Sequence, residues 1–394
     1  MNFNQKIEEW IQEAETRPAS ALTILKLIAG RLRDLTERNE QLMAENLALQ
    51  DGTRIQDYQK RIIHLERQLE MLKRQVAEGS SLPGLAADTT PDPMLNLLVY
   101  NVAGQIFRFA PSIVSTPSGT TTLGRIHGEL VSEGEFPRLL AIPAHEELLF
   151  LFTSGRVNTL RMDEIPLTEG DAFAWDAAPR PNEPHAGELL AAIMPLTRLP
   201  LTDFFIQVSR RGFVKKTLNS LAQSILDNHY LGRGTTQKSD QPFDASLCKK
   251  GERYVIVTYE GRLLGFDVDD LTYSAEERLR ISATDYVIAA FTIRPEQTIL
   301  CVTQNGKVIQ REAGFVEVSK STASRGQALI SPSRLEQGTR FIGAAAINDS
   351  DKIATLDANG QISVYEGGEA AATGLLHVQA ALLSIGVVPI AKNG

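Results

Sequence analysis

Ile299-Leu-Cys-Val-Thr-Gln-Asn-Gly-Lys-Val-Ile-Gln-Arg311 reads as a β-hairpin. Apolar and β-branched residues run up to Asn305-Gly306, and an apolar-polar run leads away. Both central residues of a type I′ turn need positive φ, which glycine adopts freely and asparagine tolerates. One such hairpin says little, because almost any β protein holds one. This one recurs.

Aligned on the turn glycine, the copies are Leu98-Val-Tyr-Asn-Val-Ala-Gly104-Gln-Ile-Phe-Arg-Phe109, Leu149-Phe-Leu-Phe-Thr-Ser-Gly155-Arg-Val-Asn-Thr-Leu160 and Ile206-Gln-Val-Ser-Arg-Arg-Gly212-Phe-Val-Lys-Lys-Thr217. Val255-Ile-Val-Thr-Tyr-Glu-Gly261-Arg-Leu-Leu-Gly-Phe266, the copy at Gly306, and Ala354-Thr-Leu-Asp-Ala-Asn-Gly360-Gln-Ile-Ser-Val-Tyr365 follow. The glycines are 51, 57, 49, 45 and 54 residues apart. A fixed motif at such a period marks a propeller or a repeat array, in which each unit buries its apolar face against its neighbours.

Short apolar runs rich in alanine lie between the hairpins: Arg138-Leu-Leu-Ala-Ile-Pro-Ala144, Leu189-Leu-Ala-Ala-Ile-Met194, Val287-Ile-Ala-Ala-Phe-Thr-Ile293 and Phe341-Ile-Gly-Ala-Ala-Ala-Ile347. Such runs fit inner strands at a crowded axis. Each is read here as preceding the hairpin of its own unit, with Phe243-Asp-Ala-Ser-Leu-Cys248 as a weaker copy. The first hairpin has no run before it, and Leu382-Leu-Ser-Ile-Gly-Val-Val-Pro-Ile390 has no hairpin after it. The two deficits match, so the C-terminal strand is expected to dock beside the first hairpin and close a six-bladed propeller, removing exposed edges.

Thr303-Gln-Asn-Gly306, Arg211-Gly-Phe-Val-Lys-Lys-Thr217 and the sixfold period resemble the C-terminal β-pinwheel domain of the A subunit of DNA gyrase and topoisomerase IV. The resemblance covers roughly residues 95–394. It implies an all-β, six-bladed, pinwheel-like propeller that wraps duplex DNA around a basic perimeter. The gyrase-type box Gln-Arg-Arg-Gly-Gly-Lys-Gly is absent, with Ser324-Arg-Gly-Gln327 and Gly232-Arg-Gly234 its nearest counterparts. Nothing in the chain resembles the DNA-cleaving portion with its catalytic tyrosine, so an autonomous topoisomerase is not expected.

The 394 residues are 43% hydrophobic and 22% charged, an ordinary globular balance. Residues 1–18 read as a short amphipathic helix and 19–78 as an α-helical coiled coil broken near 51–53. Leu32, Leu35, Asn39, Leu42, Asn46 and Leu49 fall at three-four spacing, with leucine at d and asparagine at a. That pattern favours a parallel homodimer in which each buried asparagine meets its symmetry mate. An intramolecular helical hairpin bending at Gly52 is the other reading. Residues 79–94, rich in Gly, Pro, Ser and Thr, are a flexible linker to the propeller at 95–394.

No signal peptide or membrane-spanning run is read, and Cys248 and Cys301 suit buried, reduced thiols, so a cytoplasmic location is expected. The six histidines are scattered, and no phosphate loop, nucleophile elbow or zinc-type cysteine pair occurs. No enzyme, cofactor or metal is expected. Charge pulls against DNA: the chain carries a net −8, and beyond residue 80 it holds 28 basic and 35 acidic residues. Phosphate binding depends on local neutralising charge. Arg210, Arg211, Lys215 and Lys216 surround one turn, Lys249, Lys250 and Arg253 enter the next, and Lys307 and Arg311 follow another. These nine are the candidate DNA-binding residues. Two functions stay open: a non-catalytic, dimeric protein that bends, wraps or bridges duplex DNA, or a protein-interaction scaffold that keeps the fold without the wrap.

Overall fold

Leu97, Leu98, Val99 and Tyr100 are consecutive and all buried. A strand with one wet face would alternate, so burial on both sides requires a packed neighbour on each. The same holds for Leu148–Phe152, Tyr254–Val257 and Ile299–Val302. This is the pattern of a sheet stacked between two other sheets.

The computed structural model describes residues 95–110, 121–129, 135–170 and 172–390. The helix, coiled coil and linker read from 1–94 lie outside them. In chain order, the first unit supplies β1 (Leu95–Tyr100), β2 (Ile106–Phe109), β3 (Thr121–His127) and β4 (Arg138–Pro143). The second supplies β5 (Glu147–Phe152), β6 (Val157–Arg161), β7 (Ala172–Ala174) and β8 (Leu190–Pro195). The third holds β9 (Phe204–Ser209), β10 (Phe213–Leu218) and β11 (Pro242–Cys248), and the fourth β12 (Arg253–Thr258), β13 (Arg262–Asp267), β14 (Glu276–Glu277) and β15 (Val287–Ile293). The fifth holds β16 (Thr298–Thr303), β17 (Val308–Glu312), β18 (Gln327–Ala328) and β19 (Phe341–Ile347), and the sixth β20 (Lys352–Asp357), β21 (Gln361–Glu366) and β22 (Leu382–Val388). Helices are few and short: α1 (Ala222–Asp227), α2 (Pro332–Glu336) and α3 (Gly367–Thr373) among the described residues.

Each hairpin pairs with the apolar run that follows it. β1 bonds β4, β5 bonds β8, β9 bonds β11, β12 bonds β15, β16 bonds β19 and β20 bonds β22, all antiparallel. This corrects the reading that placed each run in the unit of the next hairpin. The order is β2-β1-β4 rather than a meander: the connector leaves the hairpin's outer strand, crosses to the preceding unit, and returns the chain to the open edge of the hairpin's first strand. The C-terminal strand therefore completes the last hairpin, with Lys352 opposite Val388, and does not bond to the first. It still reaches the first unit by packing, since Gly386 lies against Leu139 of β4.

The connector after each hairpin crosses onto the outer strand of the preceding unit. β14 pairs with β10 and β18 with β13. The third unit's connector bridges Arg156 to Tyr230, and the sixth unit's bridges Lys307 to Leu375. Ile106 N donates to Pro179 O of the second unit. The series returns on itself when β3, from the first unit, pairs with β21 of the last. Among the described residues the strands form six sheets.

Alternate residues of each first strand serve opposite neighbours. Leu98 and Tyr100 pack with Leu148, Phe150 and Ile193, whereas Leu97 and Val99 pack with Ala354, Leu356 and Val364. Ile299 and Cys301 face Val255 and Val257, while Leu300 and Val302 face Ile353 and Leu376. Apolar clusters between the second and third units and between the third and fourth complete the series. Both cysteines are free and buried. Burial pushes the Cys301 thiol up to about 12, so it is inert packing rather than chemistry.

Candidate nucleic-acid interface

The nine candidate residues do not share one surface. Arg210, Arg211 and Lys307 stand at the end where the hairpins turn, whereas Lys249, Lys250, Arg253 and Arg311 stand at the opposite end. Lys215 and Lys216 sit within β10, opposite Gln207 and Ile206.

Several are bonded to the protein itself. Lys216 is 5% exposed. Its Nζ donates to the carbonyl of Val268 at 3.1 Å, above the Phe204 ring at 4.8 Å. Arg211 donates to the carbonyls of Asp285 at 2.6 Å and Ser282 at 2.8 Å. Arg210 Nη1 stands 3.3 Å from Glu135 Oε1, with its guanidinium over Tyr286. Arg253 donates to Ala313 O at 3.2 Å. Lys215 is half-buried beside Gly232. Lys249, Lys250, Lys307 and Arg311 are exposed.

Lys216, Arg211 and Arg253 share a reason. The connector of the following unit lies over each hairpin, and its carbonyls need donors. Basic side chains of the preceding hairpin supply them. Arg108 likewise donates to Met162 O at 2.9 Å and Ile165 O at 2.8 Å. Arg156 binds Glu188 through Nη2 at 2.8 Å and Nε at 3.0 Å, and Glu188 also accepts from Ser154. Arg156 so placed holds the Glu188 carboxyl down at about 2.

A different group of cations lies where a connector meets the outer strand β13. Arg262 stands opposite Ala328, and Arg280 N donates to Ser324 O at 2.7 Å. Lys320 and Arg325 follow in the same connector, and all four side chains are exposed. Lys320 and Arg325 line a polar cleft of about 680 Å³ with Glu317, Ser319, Ser321 and Ser324. Its hydroxyls are clustered: Ser319 Oγ and Ser321 Oγ are 3.1 Å apart, and Ser324 Oγ accepts from Gly326 N at 3.2 Å.

Arg278 braces this cleft from within. It is 2% exposed, lies 3.3 Å from Glu276 Oε1, and donates through Nη2 to Ser319 O at 3.0 Å. Its own carbonyl accepts from Ser324 N at 3.0 Å. A paired and hydrogen-bonded buried arginine fixes both loops that form the cleft. The segment includes Ser324-Arg-Gly-Gln327, yet Arg280, Lys320 and Arg325 escape a sequence scan centred on the turns. Their signal is being basic in a connector, which gains meaning only once the connector crosses to another unit. Among the described residues, no helix is long and apolar enough to cross a membrane, and no cluster of three metal-ligating side chains occurs.

No protein-family model matches the chain. The chain is 23% identical over 246 residues to the A subunit of DNA gyrase from Escherichia coli (strain K12), a match covering 58% of this chain and 26% of that protein. It therefore spans about a quarter of that relative's length. The C-terminal domain of DNA topoisomerase IV aligns at a TM-score of 0.48 and 16% identity, over 76% of this chain and 94% of that one. The C-terminal domain of DNA gyrase A aligns at a TM-score of 0.56 and 12% identity, over 75% of this chain and 100% of that one. The shared property is the fold: a mostly-β body of the kind seen in gyrase A C-terminal domains.

Proposed function

We propose that this chain, whose body has the fold of the gyrase A C-terminal domain, is a non-catalytic DNA-binding protein that holds duplex DNA by its phosphates. The observation that carries this reading is the serine-lined cleft with exposed Lys320 and Arg325 in its wall, formed by a connector whose backbone pairs with those of exposed Arg262 and Arg280. Lysine and arginine tips with hydroxyl donors suit phosphate oxygens, and among the described residues no helix or ribbon is presented to a major groove. Binding is therefore tolerant of sequence. Lys249, Lys250, Lys307 and Arg311, also exposed, extend the contact at the two ends. The six sheets act as the blades of one closed ring, so the outer edge offers a curved track along which a duplex bends. Two chains joined through 19–78 would bring two such tracks to one DNA molecule and add avidity.

A titration of labelled random duplex with the full-length protein at low and at moderate salt tests this. Affinity should fall steeply with salt, and changing Arg262, Arg280, Lys320 and Arg325 together to alanine should lower the log–log slope by about 0.9 for each phosphate no longer neutralised. A net charge of −8 favours a second reading, a protein-interaction scaffold. Absence of duplex binding even at low salt would leave that reading standing.

A further inference from the structure

The strands β4, β8, β11, β15, β19 and β22 surround a cavity of about 560 Å³. That size matches a small-molecule site rather than a packing defect. Much of its wall is plain: Ala290, Ala345 and Ala346 line it and leave room that larger side chains would fill. Charged side chains line both ends, with Arg198, Glu252, Arg294 and Asp351 at one and Glu135, Arg138, Arg210 and Asp244 at the end where the hairpins turn.

Two guanidiniums stand there, each laid on an aromatic ring. Arg138 of β4 is 3.9 Å above the Phe243 ring, and Arg210 is 4.6 Å above Tyr286. An arginine stacked on a ring is held in orientation and presents its N–H edge sideways, the geometry that grips a planar oxyanion. Each already faces a carboxylate of the protein. Arg210 Nη1 lies 3.3 Å from Glu135 Oε1, whereas Arg138 Nη1 lies 4.0 Å from Asp244 Oδ1, beyond hydrogen-bond length. The side chains of Arg138 and Asp244 are each 26% exposed, so the gap between them opens to the cavity.

We propose that this cavity binds a small organic carboxylate, its carboxyl group gripped by Arg138 beside Arg210. A carboxylate suits the place better than a phosphate dianion, because Asp244 and Glu135 repel a doubly charged guest more strongly. Asp244 is the internal competitor for Arg138, and its carboxyl is pushed up to about 6 by burial against the pull of Arg138. Near neutral pH a fraction of it carries a proton and then no longer repels an incoming anion. The assignment is independent of the outer-edge DNA contact, which uses other residues.

Calorimetric titration of the full-length protein with sodium propionate, a monoanion, against sodium chloride at matched ionic strength and against inorganic phosphate, tests the site. Propionate should give a saturable heat that chloride does not. Arg138→Gln should weaken it by about tenfold or more, the effect of losing one charged hydrogen-bond partner. Arg262→Ala, on the outer edge, should leave it unchanged. Asp244→Asn keeps Arg138 and removes the competing charge, so propionate should bind more tightly. A propionate response no different from chloride, or one unchanged in Arg138→Gln, overturns the proposal. Phosphate binding more tightly than propionate overturns the assignment to carboxylates. Should Arg138→Gln fail to fold, Asp244→Asn decides the matter alone, and unchanged or weaker propionate binding in it counts against the site.

Discussion

Ile126 donates its backbone N–H to the carbonyl of Gly360 at 2.8 Å, joining a connector of the first unit to the turn of the last hairpin. The approach leaves no room for a side chain, because a Cβ on Gly360 would run into the carbonyl of Ile126. The turn glycines thus have a second duty beyond the turn. Leu279 N reaches Gly212 O at 3.2 Å, Leu329 N reaches Gly261 O at 2.8 Å, and Leu376 N reaches Gly306 O at 2.7 Å. At each of these turns, the connector of the following unit docks on the glycine.

Gly360→Ala should therefore cost more than a turn glycine ordinarily does. Gly170, with φ +97° and open space around it, serves as the control for backbone strain alone. Gly170→Ala should cost about 1 kcal/mol, and Gly360→Ala, with φ +79° and a backbone clash, more than ~3 kcal/mol. Urea denaturation of both variants measures the difference. Equal losses would mean that the seam between Ile126 and Gly360 is not tight.

Glu188 makes a stability term with a clear direction in pH. Its carboxyl is held at about 2, below the ordinary 4.5, first by the hydrogen bonds from Arg156. A depressed carboxyl stabilises the fold above its unfolded pKa, and that contribution is lost as pH falls from 4.5 toward 2. The shift corresponds to an upper bound of ~3 kcal/mol at neutral pH. Glu188→Gln should be destabilised by about that much or less at pH 7, and the gap from the unsubstituted protein should narrow by pH 3. A gap constant with pH would show that Glu188 acts by packing alone.

Asp244 has the opposite sign. Burial first, only partly offset by Arg138, raises its carboxyl from 3.8 to about 6. The protonated form is favoured in the folded state, so the stability it contributes is present below pH 3.8 and lost as pH rises through 6. Asp244→Asn removes that loss. The variant should gain on the unsubstituted protein between pH 4 and pH 7, by at most ~3 kcal/mol and by less to the extent that solvent reaches the 26% exposed side chain. Parallel stability profiles across that range would refute it.

Lys216 separates structure from DNA contact. Removing an ammonium that donates to Val268 O leaves a buried carbonyl without its charged partner, so Lys216→Ala should cost about 1–3 kcal/mol. The salt dependence of duplex binding should be unchanged in the folded variant. A lower slope with unaltered stability would return Lys216 to the DNA-contacting surface.

The sixfold hairpin was legible in the sequence because its determinants are local. Gly306 takes φ +76°, but Asn305 does not adopt positive φ and Gly306 N bonds Thr303 O at 2.9 Å, so the turn is centred on Gln304 and Asn305 with the glycine after it, not the type I′ turn read from Asn-Gly. Leu300, Cys301 and Val302 announce a strand buried on both faces. The alanine-rich runs announced inner strands, although these strands surround a cavity of about 560 Å³ rather than the crowded axis read from side-chain size. Which hairpin each run joins was decided by tertiary pairing, as Lys352 opposite Val388 shows. Hydrogen bonding across more than twenty residues leaves no local mark on composition. The fate of the basic residues was decided the same way. Lysine and arginine look alike in sequence whether they face water or cap a carbonyl, so Lys216 and Arg211 read there as surface charge, and nothing local set Lys320 apart, while Arg325 stood out only as part of Ser324-Arg-Gly-Gln327. Only the connectors crossing from one unit to the next determine which cations are consumed inside the protein and which are left at its edge.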